Sequence, residues 1–324
     1  MRTLNAWISG CGACLGFILS ADADAQAYPT APIRLVIPFS AGGAADVPGR
    51  ILAVAMQKVL GRTVIVDNRP GAGATIGTAI VAQAPADGYT LLMSATTHVL
   101  GPSLYRSLPY HVIDSFAPIG QTGSAPMALA VHPSLPVRSV KDLVALAKSQ
   151  PGRIDIASSG NGTTQHLFAA LFMHVSGVHM RHVPYRGSAP AMTAVLSGEV
   201  AVGISSIPRT RALASSGRLR VLGVTSAERS AQLPEAPTIS EAGVAGYDAT
   251  LWLGLLAPRD VPEPVIERLS GALDSALRLP EVRRGYVSEG TDVVYSTPRD
   301  FGRFIRDELQ KWSKIMSQIG VRTD

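Results

Sequence analysis

Residues 33–60, IRLVIPFSAGGAADVPGRILAVAMQKVL, join a short apolar run to a glycine-rich turn and then to a helical pattern. The run Ile33–Ile37 is typical of a buried strand. Apolar residues then recur with the period of a helix, at Ile51, Leu52, Ala55 and Leu60. Gly61 ends this pattern, and a second apolar strand follows it. A strand, a turn, a helix and a further strand predict a βαβ unit with a parallel sheet.

The same alternation continues to about residue 93 and begins again at Ala128. The second series comprises strands at Ala128–Val131, Asp155–Ala157, Val200–Ile204 and Leu219–Val224, and helices at Val140–Ser149, Gln165–Val175 and Ala189–Ser197. Two such series predict an α/β fold with two lobes, each a mostly parallel sheet flanked by helices. The C-terminal third predicts helices at Glu263–Leu279 and Pro298–Ile319, in which the aromatic residues at 301, 304 and 312 pack against the core.

The composition indicates a globular protein that binds no nucleic acid. Of its 324 residues 46% are hydrophobic and 16% are charged, which is the opposite of the balance found in disordered chains. The formal net charge is +5, and the 29 lysines and arginines are scattered along the chain. Nucleic-acid-binding proteins concentrate their basic residues in a patch or a stripe. A mild positive charge is compatible instead with small anionic ligands.

The N-terminus is predicted to be an export signal. Arg2 precedes a mostly apolar stretch over residues 6–20, and Ala25-Gln26-Ala27 matches an A-x-A cleavage site. The apolar stretch is shorter than the roughly 20 residues that span a membrane. Both cysteines, Cys11 and Cys14, lie in this signal, so the mature chain has no thiol for disulfides, catalysis or metal binding.

Patterns for cofactors, metals and catalysis are incomplete. Residues 71–77 form G-x-G-x-x-x-G, which is one residue too long for a dinucleotide-binding turn, and predict a glycine turn that packs a helix on the sheet. His174, His179 and His182 lack the spacing of a helical metal site. No G-x-S-x-G motif is present. We therefore expect no cofactor, no metal and no catalytic site.

Two strand-to-helix loops are the most informative feature. Residues 40–45 and 158–164 are rich in glycine and hydroxyl groups, and each leads into a predicted helix. A helix N-terminus has free backbone N–H groups and a positive partial charge, and glycines let a ligand approach the backbone. Two such loops, facing each other across a cleft, predict a site that binds one small anion without a charged side chain.

A series of motifs resembles the substrate-binding proteins of tripartite tricarboxylate transporters, the TctC-like or Bug family. In order, the motifs are PFSAGGAAD at 38–46, VDNRPGAG at 66–73, PADGYTLL at 85–92, VPYRG at 183–187, LPEAPT at 233–238, EAG at 241–243 and WLGLLAP at 252–258. The resemblance covers about residues 28–321. It implies the two-lobed architecture of periplasmic binding proteins, in which the lobes close like a hinge on a small carboxylate.

The resemblance also implies the parts of the site and the partner. One lobe comprises residues 28–126 and 252–324, the other residues 127–251, and residues 1–27 are removed after Ala27 on export to the periplasm. The expected ligand-binding residues are Phe39, Ser40, Ala41, Gly42, Gly43, Asp46, Ser94, Ala95, Thr96, Ser158, Ser159, Gly160, Asn161, Gly162, Thr163, His166, Tyr185 and Ser205. The partner is a tripartite tricarboxylate-type membrane permease, and the receptor is expected to be a monomer.

One departure from the family pattern bears on the ligand. Members commonly have an acidic residue after the strand 200–204, where this chain has Ser205, and a second usual aspartate position is occupied by Ala201. Without that acid, a ligand with an ammonium group is less expected. Two other functions are compatible with the sequence: a ligand-sensing accessory of a membrane sensor kinase, and an exported hydrolase that uses Ser159, His166 or Asp46.

Overall fold

The computed structural model describes residues 28–319. The predicted signal peptide, with Cys11 and Cys14, lies outside the described residues. Within them, no helix is both long enough and apolar enough to cross a membrane.

The described chain forms eleven strands and ten α-helices. The strands are β1 (Ile33–Ile37), β2 (Val64–Asn68), β3 (Thr90–Ala95), β4 (Phe116–Ala125), β5 (Met127–Val131), β6 (Asp155–Ser158), β7 (Arg181–Pro184), β8 (Val202–Ser206), β9 (Arg220–Val224), β10 (Leu251–Pro258) and β11 (Asp292–Val293). The helices are α1 (Asp46–Leu60), α2 (Thr75–Ala82), α3 (Thr97–Leu104), α4 (Val140–Ser149), α5 (Thr164–Ser176), α6 (Ser188–Leu196), α7 (Ile207–Ser215), α8 (Glu263–Leu277), α9 (Pro280–Ser288) and α10 (Pro298–Ile319).

Lobe 1 is built on a six-stranded sheet with the order β11-β4-β10-β3-β1-β2. The strand β1 pairs in parallel with β2 and with β3, and its apolar residues are almost completely buried because it lies inside the sheet. The strand β10 is antiparallel to both β3 and β4. The strands β1 to β4 therefore all run in one direction, and β10 runs against them.

Lobe 2 is built on a five-stranded sheet with the order β7-β6-β8-β5-β9. The strand β6 is parallel to β7 and β8, whereas β5 is antiparallel to β8 and β9. In each lobe, the central strand that runs against its neighbours, β5 or β10, is the first strand after the chain arrives from the other lobe. The predicted fold, with two mostly parallel sheets flanked by helices, is confirmed.

The last helix, α10, connects the two lobes. It packs on β4 and α3 of lobe 1 and also contacts α5 of lobe 2. The ring of Trp312 stacks on Phe168 of α5 at a centroid distance of 6.1 Å, and Lys311 forms an ion pair with Asp248 at 2.9 Å. Phe301 and Trp312 are fully buried and the half-buried Phe304 packs against the same core, so all three aromatic residues pack as predicted.

Some of the predicted helix bounds were wrong. The helix expected at 263–279 ends at Leu277, and a separate helix starts at Pro280, because proline favours the first turn of a helix and disrupts its interior. The helix expected at 189–197 spans Ser188–Leu196 instead.

Candidate functional site

A cavity of about 310 Å³ lies between the two lobes. Lobe 1 contributes residues 38–40, 43–45, 70–71, 73–74, Ala95 and Thr97, together with Leu251 at the start of β10. Lobe 2 contributes Met127 of β5, Ser159, and residues 162–165 and 187–188. Among these described residues there is no acidic side chain, no lysine, no arginine and no histidine. The polar groups of the wall are therefore hydroxyls, one amide side chain and the backbone.

Five helices begin at this cavity. They are α1, α2, α3, α5 and α6. The residues that line the cavity at their N-termini are, in the same order, Ala45, Ala74, Thr97, Thr163 and Gly187. Each helix N-terminus leaves backbone N–H groups without an intrahelical acceptor and adds a positive partial charge. Three of these N-termini belong to lobe 1 and two belong to lobe 2. An anion in the cavity would thus be stabilised from both sides.

A buried carboxylate holds the loop of lobe 1 from behind. Asp46 accepts hydrogen bonds from the N–H of Gly42 at 2.8 Å, from Arg50 Nε at 3.0 Å and from Asn68 Nδ2 at 2.7 Å. Asn68 Nδ2 also donates to the carbonyl of Phe39 at 3.0 Å. Burial by itself raises the pKa of Asp46, but these hydrogen bonds outweigh burial and lower the pKa below its usual value. The carboxylate stays ionised and fixes the loop, which turns at Gly42 with a φ of +75°.

Two histidines hold the loop of lobe 2 in a similar way. The N–H of Gly162 donates to His166 Nδ1 at 3.1 Å, and His182 Nε2 lies 2.6 Å from Ser158 Oγ. Ser158 Oγ in turn accepts from the N–H of Gly160 at 3.2 Å. Burial, and secondarily the neighbouring His182, lowers the pKa of His166 to about 4, and burial also lowers the pKa of His182. Both rings are therefore neutral near neutral pH.

The family of the chain follows from comparisons with known proteins. A family model described as "Tripartite tricarboxylate transporter family receptor" matches residues 49–321. The chain belongs to this receptor family. Protein BugT of Bordetella pertussis is similar to it, with 36% identity over 306 residues that cover 94% of each chain. The members of the family are periplasmic substrate-binding receptors.

Three solved structures share the fold of the receptor. The periplasmic binding protein BugD has 33% sequence identity and a TM-score of 0.81, over 91% of this chain and 100% of that one. R. palustris Rpa4515 with adipate has 32% identity and a TM-score of 0.83, over 91% and 100% of the two chains. MatC (Rpa3494) from Rhodopseudomonas palustris with bound malate has 27% identity and a TM-score of 0.80, over 89% and 100%.

The receptor brings part of the predicted site residues to the cavity wall. The residues in the wall are Phe39, Ser40, Gly43, Ala95, Ser159, Gly162 and Thr163. Asp46 and His166 lie behind the two loops and bind backbone N–H groups. Ala41, Gly42, Ser158, Gly160 and Asn161 belong to the same loops without lining the wall.

Four predicted residues lie elsewhere. Ser94 is buried in β3, and Thr96 Oγ1 accepts a hydrogen bond from the N–H of Trp252 at 3.0 Å, so it positions the start of β10. The hydroxyl of Tyr185 donates to Glu199 at 2.8 Å. Ser205 is buried in β8 opposite Ala128 and is outside the cavity wall.

The wall also contains residues that were not predicted. Residues 70–71 and 73–74 precede α2, and Gly187 and Ser188 lie at the start of α6; both segments are glycine-containing connections from a strand to a helix. The same signal that identified the other two loops could have found them. The glycine turn at 71–77 was predicted to pack a helix on the sheet, and Gly77 fits this role because a Cβ there would lie 2.7 Å from Pro38. Gly71 and Gly73, in contrast, line the cavity.

The geometry does not favour the hydrolase alternative. Of the two adjacent serines in the lobe 2 loop, Ser158 and not Ser159 contacts a histidine, and the side chain of Ser158 is completely buried. Within residues 28–319, no carboxylate is hydrogen-bonded to His182 or His166 to orient the ring as a base. These contacts make Ser158 and the histidines part of the loop's own support.

Proposed function

We propose that the receptor captures a small carboxylate in the cavity between its lobes and delivers it to a tripartite tricarboxylate-type membrane permease. The main support is that five helix N-termini meet at a cavity whose wall has no charged side chain. Backbone N–H groups stabilise a carboxylate, while the positive ends of the helices disfavour a cation. The neighbours crystallised with adipate and with malate support the same class of ligand.

Capture by closure is part of the proposal. We propose the lobe boundaries 28–126 with 252–324, and 127–251. The support is that β4 and β10 belong to one sheet and β5 belongs to the other, so the chain changes lobes at Pro126 and again just before Leu251. A ligand that contacts both lobes stabilises the closed form by the contacts that only this form allows.

The proposal places the mature protein in the periplasm as a monomer, after cleavage following Ala27. The periplasmic location of the family and the export signal predicted in residues 1–27 support this placement. Mass spectrometry of the protein secreted to the periplasm should give an N-terminus at Tyr28, and light scattering should give the mass of one chain.

Thermal melting of ligand-stripped protein tests the binding step. The panel contains adipate, malate, succinate, aromatic acids, keto acids and amino acids. A ligand at a hundred times its dissociation constant adds about 2.7 kcal/mol to the stability. For lobes of this size the midpoint should then rise by roughly 5–10 °C. A panel in which no carboxylate raises the midpoint would contradict the proposal.

A pair of matched variants locates the site. Ala44 and Ala41 are both exposed and belong to the same loop, but only Ala44 lines the cavity. Ala44→Asp should weaken the binding of every carboxylate in the panel because it adds a negative charge to the wall, whereas Ala41→Asp should have a much smaller effect. Equal effects would place the ligand elsewhere. Loss of carboxylate uptake in cells that lack the partner permease, but retain the receptor, tests the delivery step.

A further inference from the structure

Two histidine rings lie against each other behind the lobe 2 loop 158–163. His166 is in the first turn of α5 and His182 is in β7, and their rings stack at a centroid distance of 4.0 Å with an interplanar angle of 8°. Neither ring lines the cavity. His166 is buried and His182 is half-buried, and each makes its hydrogen bond to the loop rather than to a carboxylate.

The two rings hold different parts of the loop. His182 Nε2 contacts Ser158 Oγ at 2.6 Å where β6 ends, and His166 Nδ1 accepts from the N–H of Gly162 at 3.1 Å, just before α5 begins. Between these points the backbone turns at Gly160 and Gly162 with φ values of +132° and +71°. The loop thus depends on side-chain contacts at both ends, and its residues Ser159, Gly162 and Thr163 form part of the cavity wall.

We propose that His166 and His182 are positioning residues, a stacked neutral pair that holds the lobe 2 loop in its ligand-binding conformation, so that protonation of the pair weakens capture. This inference rests on the proposed function of the cavity. His166 can accept from Gly162 only through an unprotonated Nδ1, which fixes the tautomer with the proton on Nε2. A proton on Nδ1 would place two N–H groups against each other and would break this contact.

The surroundings favour the neutral state of the pair. The strand β8 and the helix α6 have no ionisable side chain in their sequences. On other neighbouring elements, Asp155 is paired with Arg181, Glu199 with Tyr185, and Lys311 with Asp248 and Glu308. The two rings are in direct contact, so a charge on one histidine would oppose protonation of the other.

The first experiment uses the ligand-free mature protein. Nitrogen-15 NMR should show His166 as the Nε2–H tautomer from pH 8 to pH 5, with a titration midpoint near 4. The amide signal of Gly162 should shift with the same midpoint, because its acceptor is lost. An Nδ1–H tautomer, or a Gly162 signal that does not follow His166, would overturn the proposal whether or not any carboxylate binds.

The second experiment measures affinity by calorimetry with adipate and malate as probes. His166→Asn keeps an acceptor close to the place of Nδ1 but does not titrate, and His166→Leu removes the acceptor. His174→Asn is the control, because His174 lies on the same helix near its far end. At pH 7.5 we expect His166→Leu to bind about tenfold more weakly, as when a buried N–H loses its acceptor. His166→Asn and the control should stay within about threefold of the wild type.

The pH profile separates positioning from general stability. Dividing the wild-type affinity by the affinity of His166→Asn cancels the effect of protonation of the probe acid. This ratio should fall as the pH approaches 4. A constant ratio would overturn the proposal, and so would a rising ratio, which would mean that the positive imidazolium attracts the anion more than the loop loses. If neither probe binds the wild-type protein, the proposed function is contradicted for these acids, and the NMR experiment alone decides the role of the pair.

Discussion

A negative charge at the start of α6 should weaken ligand binding without harming the fold. Ser188 is the first residue of α6, it is exposed, and it lines the cavity. An aspartate in the first turn of a helix is favourable by about 0.3–1 kcal/mol because it complements the helix dipole. Ser188→Asp therefore leaves the stability of the protein unchanged or slightly increased, so weaker binding cannot be attributed to unfolding.

The size of the effect follows from the size of the cavity. A sphere of 310 Å³ has a radius of about 4 Å, so a ligand carboxylate in the cavity lies roughly 5 Å from a carboxylate on the wall. At an effective dielectric constant of about 20, the repulsion at this distance is about 3 kcal/mol. Solvent screening at the exposed position reduces this value, and we expect the affinity to fall by roughly 10- to 100-fold.

The assay is calorimetry with adipate and malate at 0.05 and 0.5 M salt. Ser188→Asn has nearly the same shape without the charge and should bind within about threefold of the wild type. The difference between the two variants should shrink at the higher salt concentration, because the Debye length falls. Equal affinities of the Asp and Asn variants at low salt would refute the conclusion that the ligand anion lies at the N-terminus of α6.

Three further predictions concern the supports of the site and the fold. Asp46→Asn should lower the free energy of unfolding by about 1–3 kcal/mol, because three donors lose a buried, charged acceptor, while Asp260→Asn at an exposed position should change urea denaturation little. Trp312→Leu should lower it by about 3 kcal/mol, because the ring is fully buried against Phe168; a change below 1 kcal/mol would contradict this packing role. Burial lowers the pKa of the His98 imidazole to about 4, so between pH 6.5 and 4 this imidazole is protonated in the unfolded chain but not in the folded protein. Lowering the pH through this range should therefore reduce the free energy of unfolding by up to about 1.4 kcal/mol per pH unit. His98→Gln should make this dependence less steep in pH-dependent denaturation, and an unchanged slope would show that His98 is protonated in the folded protein.

Elements with a strong pattern were predictable from the sequence, and elements formed by tertiary contacts were not. The buried run of β1 and the helical period of α1 have a local signal. The strand β4, with the sequence FAPIGQTGSA, has no clear alternation, and it is ordered by pairing with β10 along almost its whole length. The helix α3 has a glycine and a proline in its eight residues, which in the sequence resemble a turn.

The helix N-termini at the cavity were easier to predict than the individual residues of its wall. The glycine-rich loops indicated an anion held by helix N-termini, and the structure adds the starts of α2, α3 and α6 to the two predicted ones. Position in the loop does not determine which way a side chain points. Asp46 and His166 both follow a glycine-rich loop by a few residues, and both turn back to bind a loop N–H instead of facing the cavity.

The two lobes support their ligand loops with opposite protonation chemistry. In lobe 1 the support is a carboxylate whose pKa is lowered below its usual value, so it stays charged through the mildly acidic range. In lobe 2 the support is a neutral imidazole that becomes protonated near pH 4. If closure requires both loops, acidification should first disable lobe 2 while lobe 1 keeps its conformation. The open form would then be favoured because the ligand loses the contacts that only the closed form supplies, without any need for the protein to unfold.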